Sequence, residues 1–260
     1  DIGCYGGEVE TANLDRLARG GMRFTQFYNN AKCTTTRASI LTGLYPRGTN
    51  SNRHLRANMV TLGEVMQQCG YRTALCGKWH LGRDKINHPF YRGFDSFYGL
   101  LDGCCNFFNP AQPDPKYKGG RTRVFGENDK LITDFPTDFY TTDAFTSSAI
   151  EAIYAADRVK QPFFIHLTYT APHYPIQAKP ADIAKYRGKF SGGWDAMREN
   201  RFKRQQEMGL AAESWKLSQG ESQSYAWADA DQDFEDHRMA VYAAMIESVD
   251  QNIGRLLQTL

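Results

Sequence analysis

The sequence lacks the patterns that mark several classes of protein. None of its six cysteines are spaced as a CxxC pair, which argues against a zinc or thioredoxin-like site. No basic run stands out and the net charge is only +2, so nucleic-acid binding is not indicated. No apolar stretch approaches ~18 residues, so no membrane span is predicted. The acidic residues form no close group at metal-ligand spacing.

The two ends lack the usual signals of a chain terminus. The sequence begins DIGCYGGEVE, with no initiator Met or signal peptide, and ends GRLLQTL, with no residue to stop a helix. We also find only three good strand candidates in 260 residues, few for a complete α/β sheet. We therefore expect an internal fragment of a longer protein.

Alternating strand and helix patterns predict an α/β fold. Strands are expected at about 22–28, 71–76 and 163–169, and helices after Thr11, in TLGEVMQQCG, in TTDAFTSSAIEAIYAADRV and from about 236 to 258. This order favours a central sheet with helices around it, and the working residues of such folds lie on loops beyond the carboxyl ends of the strands. Residues 185–235 have no such pattern, and we expect an irregular insertion over the site or a mobile surface segment.

The first candidate site is the stretch AKCTTTRASILTG, residues 31–43. Cys33 stands where a helix is expected to begin, and Arg37 lies one turn further on. Helix N-termini bind anions and lower the pKa of thiols, so the stretch indicates an anion site beside a reactive cysteine. A buried structural cysteine and a surface arginine explain the same residues.

Two further loops carry candidate residues. In GKWHLG, Lys78 and His80 would share one side of the chain if it is still extended, which suits an oxyanion substrate; an exposed lysine and a hydrogen-bonded histidine are equally compatible. In TAPHYP, two prolines restrict the backbone around His173, and a rigid polar loop is the alternative. His166, inside an apolar strand, is expected to be a core histidine.

Together these motifs resemble the formylglycine-dependent sulfatases of the alkaline phosphatase superfamily, in particular their arylsulfatase A-like branch. The resemblance covers essentially the whole chain, with family segments in family order: DIGCYGG, TANLDRLARGGMRFTQFYNN, CTTTRASILTGLYP, GYRTALCGKWHLG, RGFDSFYG, PFFIHLTYTAPHYPIQAKP and YAAMIESVDQNIGRLL. The family signature, Cys-x-Pro-x-Arg followed by x-x-x-Leu-Thr-Gly, is matched by Cys33, Arg37 and the run LTG. The one internal departure is Thr35, which stands at the position of the proline.

The resemblance implies a fold and a domain organisation. The fold would be an alkaline phosphatase-like sandwich, with a central mixed, mostly parallel sheet flanked by helices. Residues 1–260 would form a single catalytic domain, truncated at both ends, with residues 185–235 as an insertion.

The resemblance also implies a mechanism for sulfate ester hydrolysis. A maturation enzyme, which reads the signature including its proline, would oxidise Cys33 to formylglycine, whose hydrate attacks the sulfur. Arg37 would hold the formylglycine oxygens and Lys78 a sulfate oxygen. His80 would be the base that allows sulfate release, and His173 would contact the ester and help protonate the leaving alcohol.

A divalent cation, Ca²⁺ or Mg²⁺, is implied as well, with Cys33, as formylglycine, among its ligands. The remaining ligands of the family, a pair of Asp residues and an Asp-Asn pair, are expected before Asp1 and after Leu260, together with a second Lys. The isolated chain is therefore expected to bind calcium poorly and to turn over little or nothing.

Two alternatives to a sulfatase stay open at this point. One is a phosphonate or phosphate ester hydrolase of the same superfamily, and the other is an inactive anion-binding relative in which Cys33 stays a thiol. For a sulfatase, the sequence does not choose between aryl and carbohydrate sulfates. Members of this family are usually exported, so a periplasmic or secreted location is expected.

Overall fold

A computed structural model describes residues 1–45, 54–220 and 226–260. The chain divides into two compact units, which we call the sheet unit (residues 28–175 and 259–260) and the helical unit (residues 1–27 and 176–258). Among the described residues, no helix combines the length and the apolar character needed to cross a membrane.

The sheet unit is built on a mixed sheet of five strands in the order β4-β3-β2-β1-β5. β1 pairs in parallel with both β2 and β5, while β3 and β4 extend the sheet beyond β2 as an antiparallel hairpin. β1 is buried along all but its first residue, as expected for a central parallel strand covered on both faces. The strands are β1 Arg72–Lys78, β2 Ser96–Leu100, β3 Phe125–Glu127, β4 Lys130–Ile132 and β5 Phe163–Thr168.

Helices pack on both faces of this sheet. Because side chains alternate along a strand, Phe97 of β2 belongs to one apolar cluster, and its neighbour Tyr98 packs on the other. The first cluster includes Ala38 of α2, and the second includes Phe145 of α4. The described helices are α1 Ala12–Arg19, α2 Cys33–Thr42, α3 Leu62–Gln68, α4 Thr141–Arg158, α5 Pro180–Ala184, α6 Trp194–Glu207 and α7 Gln232–Thr259.

The predicted fold class is confirmed: a mixed sheet flanked by helices, with β1 and β5 close to their expected positions. The strand expected at 22–28 is wrong, because no strand forms there. Its large side chains remain exposed, with Met22 at 80% and Phe27 at 73%, so the alternating pattern has no sheet face to cover. β2, β3 and β4 were not predicted, because they are only three to five residues long and give little periodic signal.

One local prediction in the helical unit, the helix after Thr11, is confirmed, and another needs correction. Thr11 is at the N-cap position of α1, but its side chain makes no capping bond; its hydroxyl accepts the Gly3 N–H at 2.8 Å. The start of α1 is held instead by Asp250, which accepts the Leu14 N–H at 2.8 Å. Residues 185–235 are not irregular throughout, because they contain the 14-residue helix α6.

Candidate active site

Cys33 is the first residue of α2, and the preceding Lys32 has an extended backbone. The N–H groups of the first turn have no acceptor within a helix, so they point to the space around Cys33 and give it a positive electrostatic environment. The helix ends at Gly43, whose φ of 70° is in the left-handed region that glycine adopts readily. The predicted helix start at Cys33 is therefore observed, and its thiol lies at the positive end of α2.

His80 lies beside this thiol, with 3.4 Å between Cys33 Sγ and His80 Nδ1. The condition that the chain is extended from Lys78 to His80 is not met, because His80 has a φ of 59°. Trp79 still follows the sheet, donating its N–H to Leu100 O at 2.8 Å. The turn at His80, rather than strand alternation, directs the imidazole to Cys33.

Gly103 lies directly against the ring of His80. A Cβ added at Gly103 would stand 2.4 Å from His80 Cε1 and 2.8 Å from Nε2, well inside contact distance. Only glycine allows this approach. Gly103 therefore takes part in positioning His80, a role that the sequence does not reveal because a glycine in DGCCN gives no sign of a neighbour 23 residues away.

The half-buried Arg37 and the buried Lys78 form a pair of cations next to Cys33. Arg37 Nη1 donates to the backbone oxygen of Lys78 at 2.6 Å, and Thr168 Oγ1 donates to the same oxygen at 2.8 Å. The Lys78 residue is only 3% exposed. Burial lowers the pKa of Arg37 to about 10, and burial together with the Arg37 charge lowers the pKa of Lys78 to about 8.

These two cations have no ion pair with an acidic side chain in the part of the chain that the structure describes. Both are mostly protonated at pH 7, so two positive charges stand in a poorly solvated place without a counterion. Burying a charge in this way is unfavourable unless a partner compensates it. The geometry is therefore that of an anion site.

His173 follows β5, and its side chain is exposed. Its Nδ1 lies 2.6 Å from Tyr174 O, and since a carbonyl oxygen only accepts, Nδ1 carries the hydrogen and Nε2 remains for proton exchange. Within the described ranges, no hydrogen bond links His173 to Cys33 or Lys78. The structure thus brings Cys33, Arg37, Lys78 and His80 together, whereas His173 is bonded within its own loop.

A cavity of about 490 Å³ opens beside Cys33 and is lined by Arg37, Thr168 and His166. His166 was expected to be a core histidine, and its ring does stack with Phe164, but it also faces this cavity. Burial and the nearby Arg37 lower the pKa of His166 to about 4. The imidazole is therefore neutral at pH 7 and adds no third charge.

A second cavity, of about 400 Å³, is lined by His80 and by charged residues that include Arg83, Asp84 and Asp102. No three His, Cys, Asp or Glu side chains in the described residues are grouped closely enough to hold a metal ion. The described residues therefore do not supply the ligand set of a divalent cation. All six cysteines are free thiols, so none of them is in a disulfide.

Comparison with known proteins gives a consistent result. A family model described as Sulfatase matches residues 1–260. An uncharacterized sulfatase of Schizosaccharomyces pombe is 31% identical over the whole chain, and an arylsulfatase of Klebsiella aerogenes is 30% identical over the whole chain. The chain spans 52% and 59% of the lengths of these two relatives.

Solved structures agree with this similarity. The crystal structure of Ps i-CgsB in complex with k-i-k-neocarrahexaose superposes with a TM-score of 0.70 and 27% identity, covering 100% of this chain and 51% of that one. The sulfatase yidJ of Bacteroides fragilis, described as putative, has a TM-score of 0.69 at 20% identity, covering 100% of this chain and 55% of that one, and supports the fold alone.

Proposed function

Because this chain belongs to the sulfatase family, we propose that the site at Cys33 takes part in the hydrolysis of sulfate esters in the full-length protein. The observation that carries the proposal is the uncompensated charge of Arg37 and Lys78 beside Cys33. A sulfate ester carries a negative charge that would compensate these cations, and charge that develops on its oxygens in the transition state would be stabilised further.

We propose that Cys33 is converted to formylglycine, for which a maturation enzyme supplies the oxidation. When formed, this group supplies a hydrated aldehyde as nucleophile, which divides the hydrolysis into two steps. The Cys33 Sγ stands in for its oxygen, and His80 Nδ1, 3.4 Å from that sulfur, is within reach to accept a proton from it. The helix start and Arg37 favour the anionic form of such an oxygen.

The other side chains act on the ester itself. Lys78 binds a sulfate oxygen and keeps positive charge next to it. His173 delivers the proton that the departing alcohol needs, through Nε2, because Nδ1 is engaged with Tyr174 O. This role of His173 requires its imidazole to approach the ester when substrate is bound.

Thr35 in place of proline is compatible with the folded start of α2. Thr35 is the third residue of α2, in the turn whose N–H groups have no intrahelical acceptor, and proline is tolerated in the first turn for the same reason. The folded start of α2 therefore accommodates either threonine or proline at this position. The resemblance also implies a divalent cation, for which Cys33, as formylglycine, would be one ligand.

Relatives that are named for a sugar substrate or were solved with a carbohydrate support a carbohydrate sulfate as one substrate class. An N-acetylgalactosamine-6-sulfatase of dog is 32% identical over 76% of this chain, and Ps i-CgsB was solved with k-i-k-neocarrahexaose. Aryl sulfates remain the other class, as the arylsulfatase of Klebsiella aerogenes indicates.

Two measurements on the full-length protein test the proposal. Peptide mass spectrometry across Cys33 should find the lighter formylglycine residue, at a level that Thr35→Pro raises; an unmodified thiol in the native host would favour the inactive, anion-binding alternative. A substrate panel should show hydrolysis of 4-nitrophenyl sulfate. A clear preference for a phosphodiester would favour the phosphonate or phosphate ester hydrolase instead.

A further inference from the structure

Two exposed tyrosines meet on the surface of the sheet unit. Tyr117 is 75% exposed and Tyr174 is 44% exposed, yet their hydroxyl groups hydrogen-bond to each other across 57 residues of sequence. Lys118 Nζ lies 5.4 Å from the ring centre of Tyr174 and 5.9 Å from that of Tyr117. The contacts hold two amphipathic rings and an ammonium in one place.

The loop that carries Tyr117 has an excess of positive charge. Its two arginines are neutralised, because Arg121 pairs with Asp102 and Arg123 pairs with Asp114. Lys116 and Lys118 form no ion pair in the described ranges of the chain. We call Lys116, Tyr117, Lys118 and Tyr174 the tyrosine–lysine face, and two positive charges remain on it.

The tyrosine–lysine face adjoins His173. Tyr174 is the next residue in the chain, and its carbonyl oxygen receives the hydrogen bond of His173 Nδ1 at 2.6 Å. A molecule that lies across the two rings is therefore next to the imidazole to which we assign protonation of the leaving alcohol. If His173 protonates the leaving alcohol, as proposed, the alcohol part of the substrate extends from the ester towards this face.

We propose that the tyrosine–lysine face binds an anionic carbohydrate chain, as a subsite for the sugar units beyond the hydrolysed ester. The apolar faces of sugar rings pack on exposed aromatic rings, while sulfate or carboxylate groups of the same chain bind the lysine ammonium groups. A neutral sugar has no anionic group for the lysine ammonium groups to bind. The placement beside the leaving group rests on the proposed function, but binding at this face does not depend on turnover.

The face is tested by binding of the full-length protein to defined polymers. Affinity electrophoresis with dextran sulfate, dextran and poly-glutamate distinguishes the contribution of the carbohydrate to binding from the contribution of the negative charge. We expect binding to dextran sulfate at low salt, weaker binding at high salt, and little binding to dextran or poly-glutamate. Binding to poly-glutamate as tight as to dextran sulfate would show a general polyanion or acidic-protein surface and overturn the proposal.

Two substitutions assign the binding to these residues. Tyr117→Ala and Lys118→Gln should each weaken dextran sulfate binding by about tenfold, the effect of losing one charged or stacked contact, and leave the kcat on 4-nitrophenyl sulfate unchanged. Lys160→Gln is the matched control, because Lys160 is 80% exposed and pairs with Asp157. Variants that melt at the wild-type temperature and bind dextran sulfate normally would exclude this face. A full-length protein that binds dextran sulfate but cleaves no sulfate ester would refute only the proposed function.

Discussion

Replacement of Lys78 by methionine separates a functional role from a structural one. Burial and the charge of Arg37 lower the pKa of Lys78 from 10.5 to about 8. At about 1.4 kcal/mol for each pKa unit, keeping the buried ammonium protonated at pH 7 costs about 3 kcal/mol of folding free energy. Methionine fills a similar volume without a charge. Lys78→Met should therefore raise the free energy of unfolding at pH 7, with about 3 kcal/mol as the upper limit.

The same substitution should reduce kcat/KM for 4-nitrophenyl sulfate by about 10² or more, because a preorganised positive charge is lost. The combination of higher stability and lower activity is expected only if Lys78 is kept for binding an anion. A lysine that stabilises the fold through its charge would give the opposite sign for stability.

The pH dependence gives an independent check. Below pH 8, folded and unfolded chains both hold the proton, and the cost of the buried charge is fully present. Between about pH 8 and 10.5, the unfolded wild-type chain binds more protons than the folded one, so the unfolding free energy of wild type rises with pH. The difference in stability between Lys78→Met and wild type therefore shrinks over this range and disappears near its upper end. Over the same range the KM for the sulfate ester should rise as Lys78 loses its proton.

The assay compares melting temperatures from pH 7 to 10.5 and kcat/KM for full-length wild type and Lys78→Met, with conversion of Cys33 measured in each preparation. Lys160→Met is the control, because the Lys160 side chain is 80% exposed and forms a surface ion pair. A Lys78→Met protein that melts well below wild type at pH 7, or one that keeps normal kcat/KM, would refute the reasoning.

Three further predictions concern other contacts. Gly103→Ala should lower kcat by about tenfold or more, because the new methyl would stand 2.4 Å from His80 Cε1. In a His80→Ala background the same substitution should cause no further loss of kcat. Gly192→Ala is the control and should leave kcat unchanged, because no atom lies within 4 Å of its added Cβ. Arg37→Lys should lower kcat/KM by about tenfold, since lysine cannot reproduce the guanidinium bond to Lys78 O, and a normal rate would place Arg37 outside the site. Thr61→Ala should lower the unfolding free energy by about 1 kcal/mol with unchanged turnover, because Thr61 forms the capping box of α3 with Glu64; an unchanged melting temperature would contradict this.

The sequence was most informative where a signal is local. The start of α2 at Cys33, the short helix α3 and the buried strand β1 all depend on residues within one or two turns or along one strand, and all were predicted. The prediction of a strand at 22–28 was wrong because alternation is a local signal, whereas a strand forms only where a neighbouring strand pairs with it.

The order of residues therefore determined the candidate chemistry and the family: a cysteine and an arginine one turn apart at a helix start, a lysine and histidine after a buried strand, and a histidine between prolines. Tertiary structure decided which of these meet. The 3.4 Å contact of Cys33 with His80, the bond from Arg37 to Lys78 O and the meeting of Tyr117 with Tyr174 join residues 41 to 57 positions apart. No local periodicity encodes such contacts, because they arise only when the strands pair, the chain turns at His80 and Gly103 leaves space for its ring.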